Sequence, residues 1–325
     1  MRIVVLQSDI ATDAPPDERD TLLQAEAIVQ TLRSSGHTVA KHTFPQTAEA
    51  LSALLEATGA DLIFNVVESV EGSGFRAAEA IALFEQSGVV YTGNASGPMA
   101  VTCDKLLTKR RLAAAGLPTP DWAAPPDWQG LSDSQTYIVK SAREDASLGL
   151  DDGAVCTGRA RIAARADFCA GSHGGDWFAE RYVDGREFNI ALLEVRGRPV
   201  ILPIAEMRFE AWPSDKPKIV GYAAKWDEQS HAATHTVRDF TWTQHEPALA
   251  AQLEDLSRQV WALFDLNGYA RVDFRVDAAG APTILEINPN PCLEAGAGFA
   301  AAARQADLSY AALIEHIVAA ARTPG

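Results

Sequence analysis

The residue types best able to do chemistry gather near the C-terminus, in Tyr269-Ala270-Arg271-Val272-Asp273-Phe274-Arg275-Val276 and in residues 281–288, APTILEIN. Both stretches alternate with period two, and Asp277-Ala278-Ala279-Gly280 between them supplies turn residues, so 268–288 is expected to form a β-hairpin. With the turn centred between Ala279 and Gly280, Asp273 faces Glu286, Arg271 faces Asn288, Val272 faces Ile287 and Phe274 faces Leu285. One face is then apolar, and the other collects Arg271, Asp273, Glu286 and Asn288 within cross-strand reach. Two carboxylates this close repel unless a cation separates them. With an amide carbonyl they make an all-oxygen set, which suits Mg²⁺ better than zinc or copper and leaves positions for phosphate oxygens. Arg271 would hold an anion developing beside it. A solvated strand face would show the same residue types, so both readings stand at this level. Pro289-Asn290-Pro291 then stops the strand.

Other polar residues fit a bound nucleotide. Lys105 opens a helix, where a lysine opposes the helix dipole unless a phosphate sits there; a plain surface lysine is the alternative. Lys140 ends the apolar run Tyr137-Ile138-Val139 before the small-residue loop Asp145-Ala146-Ser147-Leu148-Gly149, and it points at phosphates or snorkels at an edge. In residues 177–187 two strands flank a tight turn. Backbone groups of Arg181, Tyr182 and Val183 could read an adenine edge there and Glu187 could accept ribose hydroxyls, unless this is an ordinary exposed hairpin. Lys225 lies in a segment between strands that could close over phosphates. Neither G-x-x-x-x-G-K-[ST] nor G-x-G-x-x-G occurs, so a P-loop or a dinucleotide fingerprint is not supported.

The elements that must position these groups begin with alternating strands and helices: strands at 3–6, 38–44 and 61–67, and helices at 18–33 and 48–57. This predicts a parallel α/β unit. A helix follows at 104–115, then a Pro-rich linker at 119–135, strands at 177–182 and 187–193, a helix at 246–266 and a helical stretch at 295–321. The 325 residues are 47% hydrophobic and 22% charged, an ordinary globular balance. A net charge of −15 argues against nucleic acid or an anionic membrane as partner. No apolar run reaches membrane-spanning length and the start reads as a strand rather than a signal peptide, so a cytoplasmic enzyme is expected. Cys103, Cys156, Cys169 and Cys292 lack metal or disulfide spacing. His231 and His235 sit four apart in a segment with no helical signal.

Taken in order, several stretches resemble the ATP-grasp superfamily, and within it the D-alanine–D-alanine ligases. They are Val90-Tyr91-Thr92-Gly93, Cys103-Asp104-Lys105 with Thr108-Lys109, Ala115-Gly116-Leu117-Pro118-Thr119-Pro120, residues 180–187, Ala224-Lys225-Trp226, Arg271-Val272-Asp273 and Leu285-Glu286-Ile287-Asn288. The resemblance implies an α/β (α+β) fold: an N-terminal parallel α/β domain at 1–100, and two mixed α+β subdomains at 101–185 and 186–325 that clasp ATP. It implies phosphate contacts from Lys105, Lys140 and Lys225, adenine contacts from Glu180 through Val183 and a ribose contact from Glu187. It also implies two Mg²⁺ (or Mn²⁺) on Asp273, Glu286 and Asn288, with Arg271 beside the reacting phosphoryl oxygens. Small-molecule carboxylate and amine substrates, and a possible homodimer, complete the picture. The implied reaction is ADP-forming ligation of an acid to an amine through an acyl phosphate; a phosphotransferase or a non-catalytic nucleotide-binding protein are the alternatives.

The amino-acid-binding half departs from that pattern. Gln7-Ser8-Asp9-Ile10-Ala11 replaces a Gly-rich loop with a Glu, Val67-Glu68-Ser69-Val70-Glu71-Gly72-Ser73-Gly74 replaces a His-Gly motif, and Pro289-Asn290-Pro291-Cys292-Leu293-Glu294 follows the metal-binding Asn. Arg275 stands where a neutral side chain is usual. These departures imply an acid or amine other than D-alanine, with Glu68, Glu71, Ser147 and Cys292 facing it by position.

Overall fold

The computed structural model describes residues 1–11, 13–145, 147–227 and 229–322; Ala146, within the small-residue loop, lies outside them. Strand β1 (Arg2–Gln7) is central to a parallel sheet ordered β2-β1-β3-β4, with β2 at Thr38–Thr43, β3 at Leu62–Val66 and β4 at Val90–Tyr91. Residues 3–6 of β1 and all of β3 are buried, because helices cover both faces. Val4, Leu6 and Ile63 pack under helices α2 (Ala48–Thr58) and α3 (Ala77–Ser87). Ile3, Val5 and Phe64 pack under Ala25, Ile28 and Leu32 of α1 (Pro16–Ser34).

After α4 (Ser96–Thr102) and α5 (Lys105–Ala114) comes a sheet ordered β5-β8-β6-β7, from strands Trp122–Ala123, Thr136–Ser141, Val155–Thr157 and Trp177–Arg181 as β5 to β8. Helix α6 (Arg159–His173) covers it with Ile162, Ala166 and Cys169. The third sheet is ordered β12-β11-β9-β13-β14, with β10 also on β9. Its strands β9 to β11 are Gly185–Val195, Arg198–Ile201 and Ala205–Phe209, followed by the short helices α7 (Tyr222–Trp226) and α8 (His231–His235) and then by β12 (Thr236–Asp239). Helix α9 (Pro247–Leu263) lays Leu253, Leu256 and Val260 on one face of this sheet, against Phe188, Ile190, Val272, Phe274 and Ile287. Strands β13 (Tyr269–Asp277) and β14 (Pro282–Asn288) complete the sheet.

The opposite face of the third sheet is divided along β9. Glu187 and Asn189 are polar, whereas Ala191 and Leu193 join the core beneath the first sheet. Helices α10 (Gly298–Gln305) and α11 (Tyr310–Ala319) return to that same core with Phe299, Leu313 and Ile317. The chain's end therefore fixes the first sheet against the third. Among the described residues no helix is long and apolar enough to cross a membrane.

Several expectations are corrected. The hairpin register holds from Arg271 to Asp273, but a bulge between Asp273 and Phe274 pairs Phe274 with Ile284 rather than Leu285. A bulge adds one residue to one arm, which hydrophobic alternation alone does not reveal. Residues 177–187 are not a hairpin, because β8 and β9 lie in different sheets and their junction is the passage between them. The 119–135 linker contains β5, paired with β8, and Trp128, which is buried in the core of the second sheet. The 295–321 stretch is two helices, broken where Asp307 takes positive φ and Ser309 caps α11 by accepting from the Ala312 amide. His231 and His235 do lie on one helical turn, with rings stacked at 3.8 Å.

Candidate active site

The polar face of the third sheet forms one wall. Asp273 and Glu286 stand directly opposite on β13 and β14, and Arg271 stands opposite Asn288. Two residues along the strand, Arg271 reaches back and donates to both oxygens of Asp273, at 2.8 Å from Nε and 2.8 Å from Nη2. Asn189 on β9 adds a third donor to Asp273 at 2.9 Å. The half-buried Arg271 guanidinium is held firmly charged: desolvation opposes the charge, and Asp273 outweighs it. Asn288 Oδ1 accepts from the Asn290 amide at 3.0 Å, which turns the chain at Pro289.

Glu286 belongs to a second knot. Lys105, buried at the start of α5, donates to Asp145 Oδ1 at 2.6 Å and to the Glu144 carbonyl at 2.9 Å, and lies 3.2 Å from Glu286 Oε1. Asp104 caps this helix by accepting from the Leu107 amide. The Lys105 ammonium is held charged because Asp145 and Glu286 overcome its burial. Asp145 and Glu286 also share a hydrogen bond, so only one of them stays readily ionised. Desolvation in the site, opposed by Lys105 and reinforced by Glu286, raises the Asp145 carboxyl to about 6. Burial also works to raise Glu286, but Lys105 and the Asp145 hydrogen bond hold it below its ordinary value.

The opposite wall comes from the second sheet. Glu180 on β8, 1% exposed, accepts from Lys140 on β6 at 2.8 Å and pairs with Lys109 of α5. Lys109 also donates to Thr119 Oγ1 at 3.0 Å. Burial would raise the Glu180 carboxyl, and the two lysines more than reverse it; burial lowers Lys109. The amides of Arg181 and Tyr182 are spent on the Asp121 and Thr136 carbonyls. Those two N–H groups therefore do not serve an adenine edge, since the sheet's own pairing consumes them. Val183 is buried beside them. Glu187 is buried, and its Oε2 accepts from Arg275 at 2.8 Å.

A loop and a lid close the top. The Ser147 hydroxyl donates to the Val220 carbonyl at 3.0 Å, and the Tyr222 amide donates to Leu150 at 3.1 Å. At Gly221 a Cβ would come within 2.5 Å of the Leu150 carbonyl, so only glycine permits this approach. The lid continues into α7, which carries Lys225. Its side chain is exposed, yet the charge field of Arg271, Asp273, Glu286 and Glu187 reaches it. Partial desolvation by the surrounding chain, and then Arg271, lower its ammonium. Glu144 ties the same loop to the first sheet, accepting from Ser73 Oγ and the Gly74 amide at 3.0 Å each.

The remaining candidates lie at the C-terminal end of the parallel sheet, where strand order reverses between β1 and β3, the crevice position of such sheets. Ser8 Oγ accepts the amides of Glu68 and Ser69 at 2.9 Å. Glu68 accepts from Gln24 at 2.8 Å and Thr21 at 2.9 Å, and burial pushes its carboxyl up to about 7. The Cys292 thiol donates to Asp20 at 3.0 Å and burial raises it well above the usual thiol range; burial raises Asp20 too. Glu71 is instead paired with Arg76 at the surface, so the expectation that it faces a substrate is not met. Lys109, Asp145 and Asn189 were not singled out by sequence reasoning. In the structure Lys109 lies with Lys105 and Leu112 on one buried stripe of α5.

Residues 130–319 match the family model for the D-ala D-ala ligase C-terminus, more than half of the chain. The chain belongs to the D-alanine–D-alanine ligase family. Relatives in this ligase family include the D-alanine–D-alanine ligase of Laribacter hongkongensis, 30% identical over 93% of this chain and 91% of its own length. The uncharacterized protein y4sG of Sinorhizobium fredii is 30% identical over 79% of this chain and 73% of its own. The fold is the ATP-grasp fold. The crystal structure of a Bacillus anthracis D-alanine–D-alanine ligase complexed with ATP superposes with a TM-score of 0.75 at 17% identity, covering 98% of this chain and 97% of that one. The Coxiella burnetii enzyme gives 0.70.

Among the described residues no three His, Cys, Asp or Glu side chains cluster as a ready metal cage. The ligase-family set here is different in kind: two carboxylates and an amide, with Asp145 and Glu286 near enough to share a proton. A cation would relieve that crowding, and these oxygen donors fit Mg²⁺ with phosphate oxygens completing its shell.

Proposed function

We propose that this ligase-family chain is an ADP-forming carboxylate–amine ligase whose acid, amine or both differ from D-alanine. The single observation that carries the reading is the opposed Asp273–Glu286 pair, set between Arg271 on one side and Lys105 and Lys140 on the other. ATP would lie between the second and third sheets, with the three-unit division at residues 100 and 185 part of the proposal. Glu180 and Val183 would face the base and Glu187 the ribose. Lys105, Lys140 and, from the lid, Lys225 would hold the phosphates.

Asp273, Glu286 and Asn288 would hold Mg²⁺, which when bound neutralises charge on the phosphate oxygens. Release of Asp273 from its two hydrogen bonds to Arg271 would free the guanidinium for the phosphoryl oxygens. A carboxylate oxygen of the substrate attacks the γ-phosphorus and ADP leaves, which turns a poor electrophile into an acyl phosphate. The amine nitrogen then attacks the acyl carbon, phosphate departs and the nitrogen loses a proton. The zipped loop 147–150 and lid 218–226 would exclude water, which would otherwise hydrolyse the activated acid. The crevice at Ser8, Glu68, Asp20 and Cys292 supports a substrate other than D-alanine, because Ser8 and Glu68 stand where the family has a Gly-rich loop and a His-Gly motif, and Cys292 lies in the altered segment after Asn288.

The test is release of ADP and phosphate by purified protein across a panel of amino acids and amines, with mass spectrometry of each hit. An amide with free phosphate supports the ligase. A stable phosphorylated product would indicate a phosphotransferase instead. No ADP with any pair, together with no ATP binding, would remove the nucleotide reading.

A further inference from the structure

Arg275, two residues beyond Asp273 on the polar face of β13, has no place in the chemistry above. It is 4% exposed; two of its polar partners lie on the neighbouring strand β9, and the third lies in the segment that leads to α7. Nη2 donates to Glu187 Oε2 at 2.8 Å and to the Lys218 carbonyl, and Nη1 donates to the Gly185 carbonyl at 3.2 Å. The guanidinium also lies near two rings, 5.9 Å from the centroid of Tyr182 and 5.7 Å from that of Phe209. Tyr182 holds the same lid residue from another side: its hydroxyl accepts the Lys218 amide at 3.0 Å and donates to the Lys218 carbonyl at 3.2 Å.

From Lys218 the contacts run without interruption to Lys225. Ile219 is buried with Ile138 and Ala154, Val220 accepts from Ser147, and Tyr222 donates to Leu150 at the head of α7. One planar fork therefore connects the floor of the cleft at Glu187 with the root of the segment that carries Lys225. A lysine could neutralise Glu187, but it lacks the rigid fork needed to serve Glu187, Gly185 and Lys218 together.

We infer that Arg275 is a positioning residue that couples occupancy of Glu187 by a nucleoside to the placement of the lid 218–226, and so of Lys225. The inference rests on the proposed role of Glu187 as the ribose acid. Arg275 engages one carboxylate oxygen, which leaves the other for a ribose hydroxyl. A ligand there would fix the carboxylate, then the guanidinium, then the Lys218 carbonyl.

Hydrogen-exchange mass spectrometry over residues 215–226, with and without MgATP, tests this in the wild type, Arg275→Lys and Arg275→Gln. MgATP is expected to slow exchange in the wild-type lid by about tenfold. Arg275→Lys should bind MgATP within about threefold of wild type while its lid slows less than about twofold. Arg275→Gln leaves Glu187 buried without a cation and is expected to lose stability; the lysine variant keeps that charge and carries the test alone. Equal slowing in wild type and Arg275→Lys overturns the inference. So does a lid that exchanges faster in Arg275→Lys by the same factor with and without MgATP, which marks a merely structural role. A wild-type protein that binds no MgATP overturns the nucleotide reading itself and this inference with it.

Discussion

The cleft floor and the crevice at the end of the first sheet both bury carboxylates, but they hold them by opposite means. Around the cleft floor the acids have cations: Asp273 has Arg271, Glu180 has Lys109 and Lys140, Glu187 has Arg275, and Glu286 shares Lys105 with Asp145, whose carboxyl is raised. In the crevice Glu68 is held by a hydroxyl and an amide, and Asp20 by a thiol. A carboxylate with a cation keeps its charge when buried, whereas one given only neutral donors moves toward its protonated form. The floor thus presents fixed charge, suited to a polyanion. The crevice presents Glu68, raised to about 7, beside a raised Asp20 and a thiol held protonated, a set suited to a smaller ligand. This division follows the sequence departures from the ligase pattern, which rewrite the crevice and touch the floor at Arg275.

The largest effect should come from breaking the floor. Asp273→Asn keeps the shape of β13 but removes a charge opposite Glu286, and ADP release should fall on the order of a thousandfold with the circular dichroism unchanged. Activity within a few-fold of wild type would show that the pairing is structural only. Next is Lys109→Met, which leaves a fully buried Glu180 with one lysine. It should cost about 3–5 kcal/mol in urea unfolding, the penalty for removing one partner of a buried pair. A loss under about 1 kcal/mol would mean that Lys140 alone satisfies Glu180.

The crevice should respond to pH instead. The folded carboxyl of Glu68 titrates near 7, above its ordinary 4.5, so the folded state keeps a proton that the unfolded chain releases. The stabilising contribution of this group is fully present below about pH 4.5 and is lost as pH rises through 7. Glu68→Gln imitates the protonated form, so between pH 5 and 8 the wild type should lose stability relative to the variant. Parallel denaturation curves would contradict this. The smallest effect is expected from Cys292→Ala, which should leave MgATP affinity within about twofold, because additivity holds for separate sites. A larger loss would join the two regions that the comparison keeps apart.

Much of the floor was legible from residue order. Period-two alternation gave the Asp273–Glu286 and Arg271–Asn288 pairs, because a strand exposes every second residue to the same side. The bulge after Asp273 was not legible, since an added residue leaves both faces hydrophobically plausible. Lys109 was hidden for a different reason: a lysine in a helix reads as solvated, and its burial depends on Glu180, far along the chain. The junction of β8 and β9 looked like a hairpin because local pattern does not say which sheet a strand joins. The partner of Arg275 was equally out of reach, although its oddity against the ligase pattern was visible.

Calorimetric titration of wild-type protein and Glu286→Gln with ATP, in the presence and absence of Mg²⁺, tests the central claim most directly. Saturable, Mg²⁺-dependent binding by the wild type that weakens at least about tenfold in Glu286→Gln is the predicted result. Binding of equal strength in both proteins, or binding indifferent to Mg²⁺, would contradict a metal-bridged nucleotide on the β13–β14 floor.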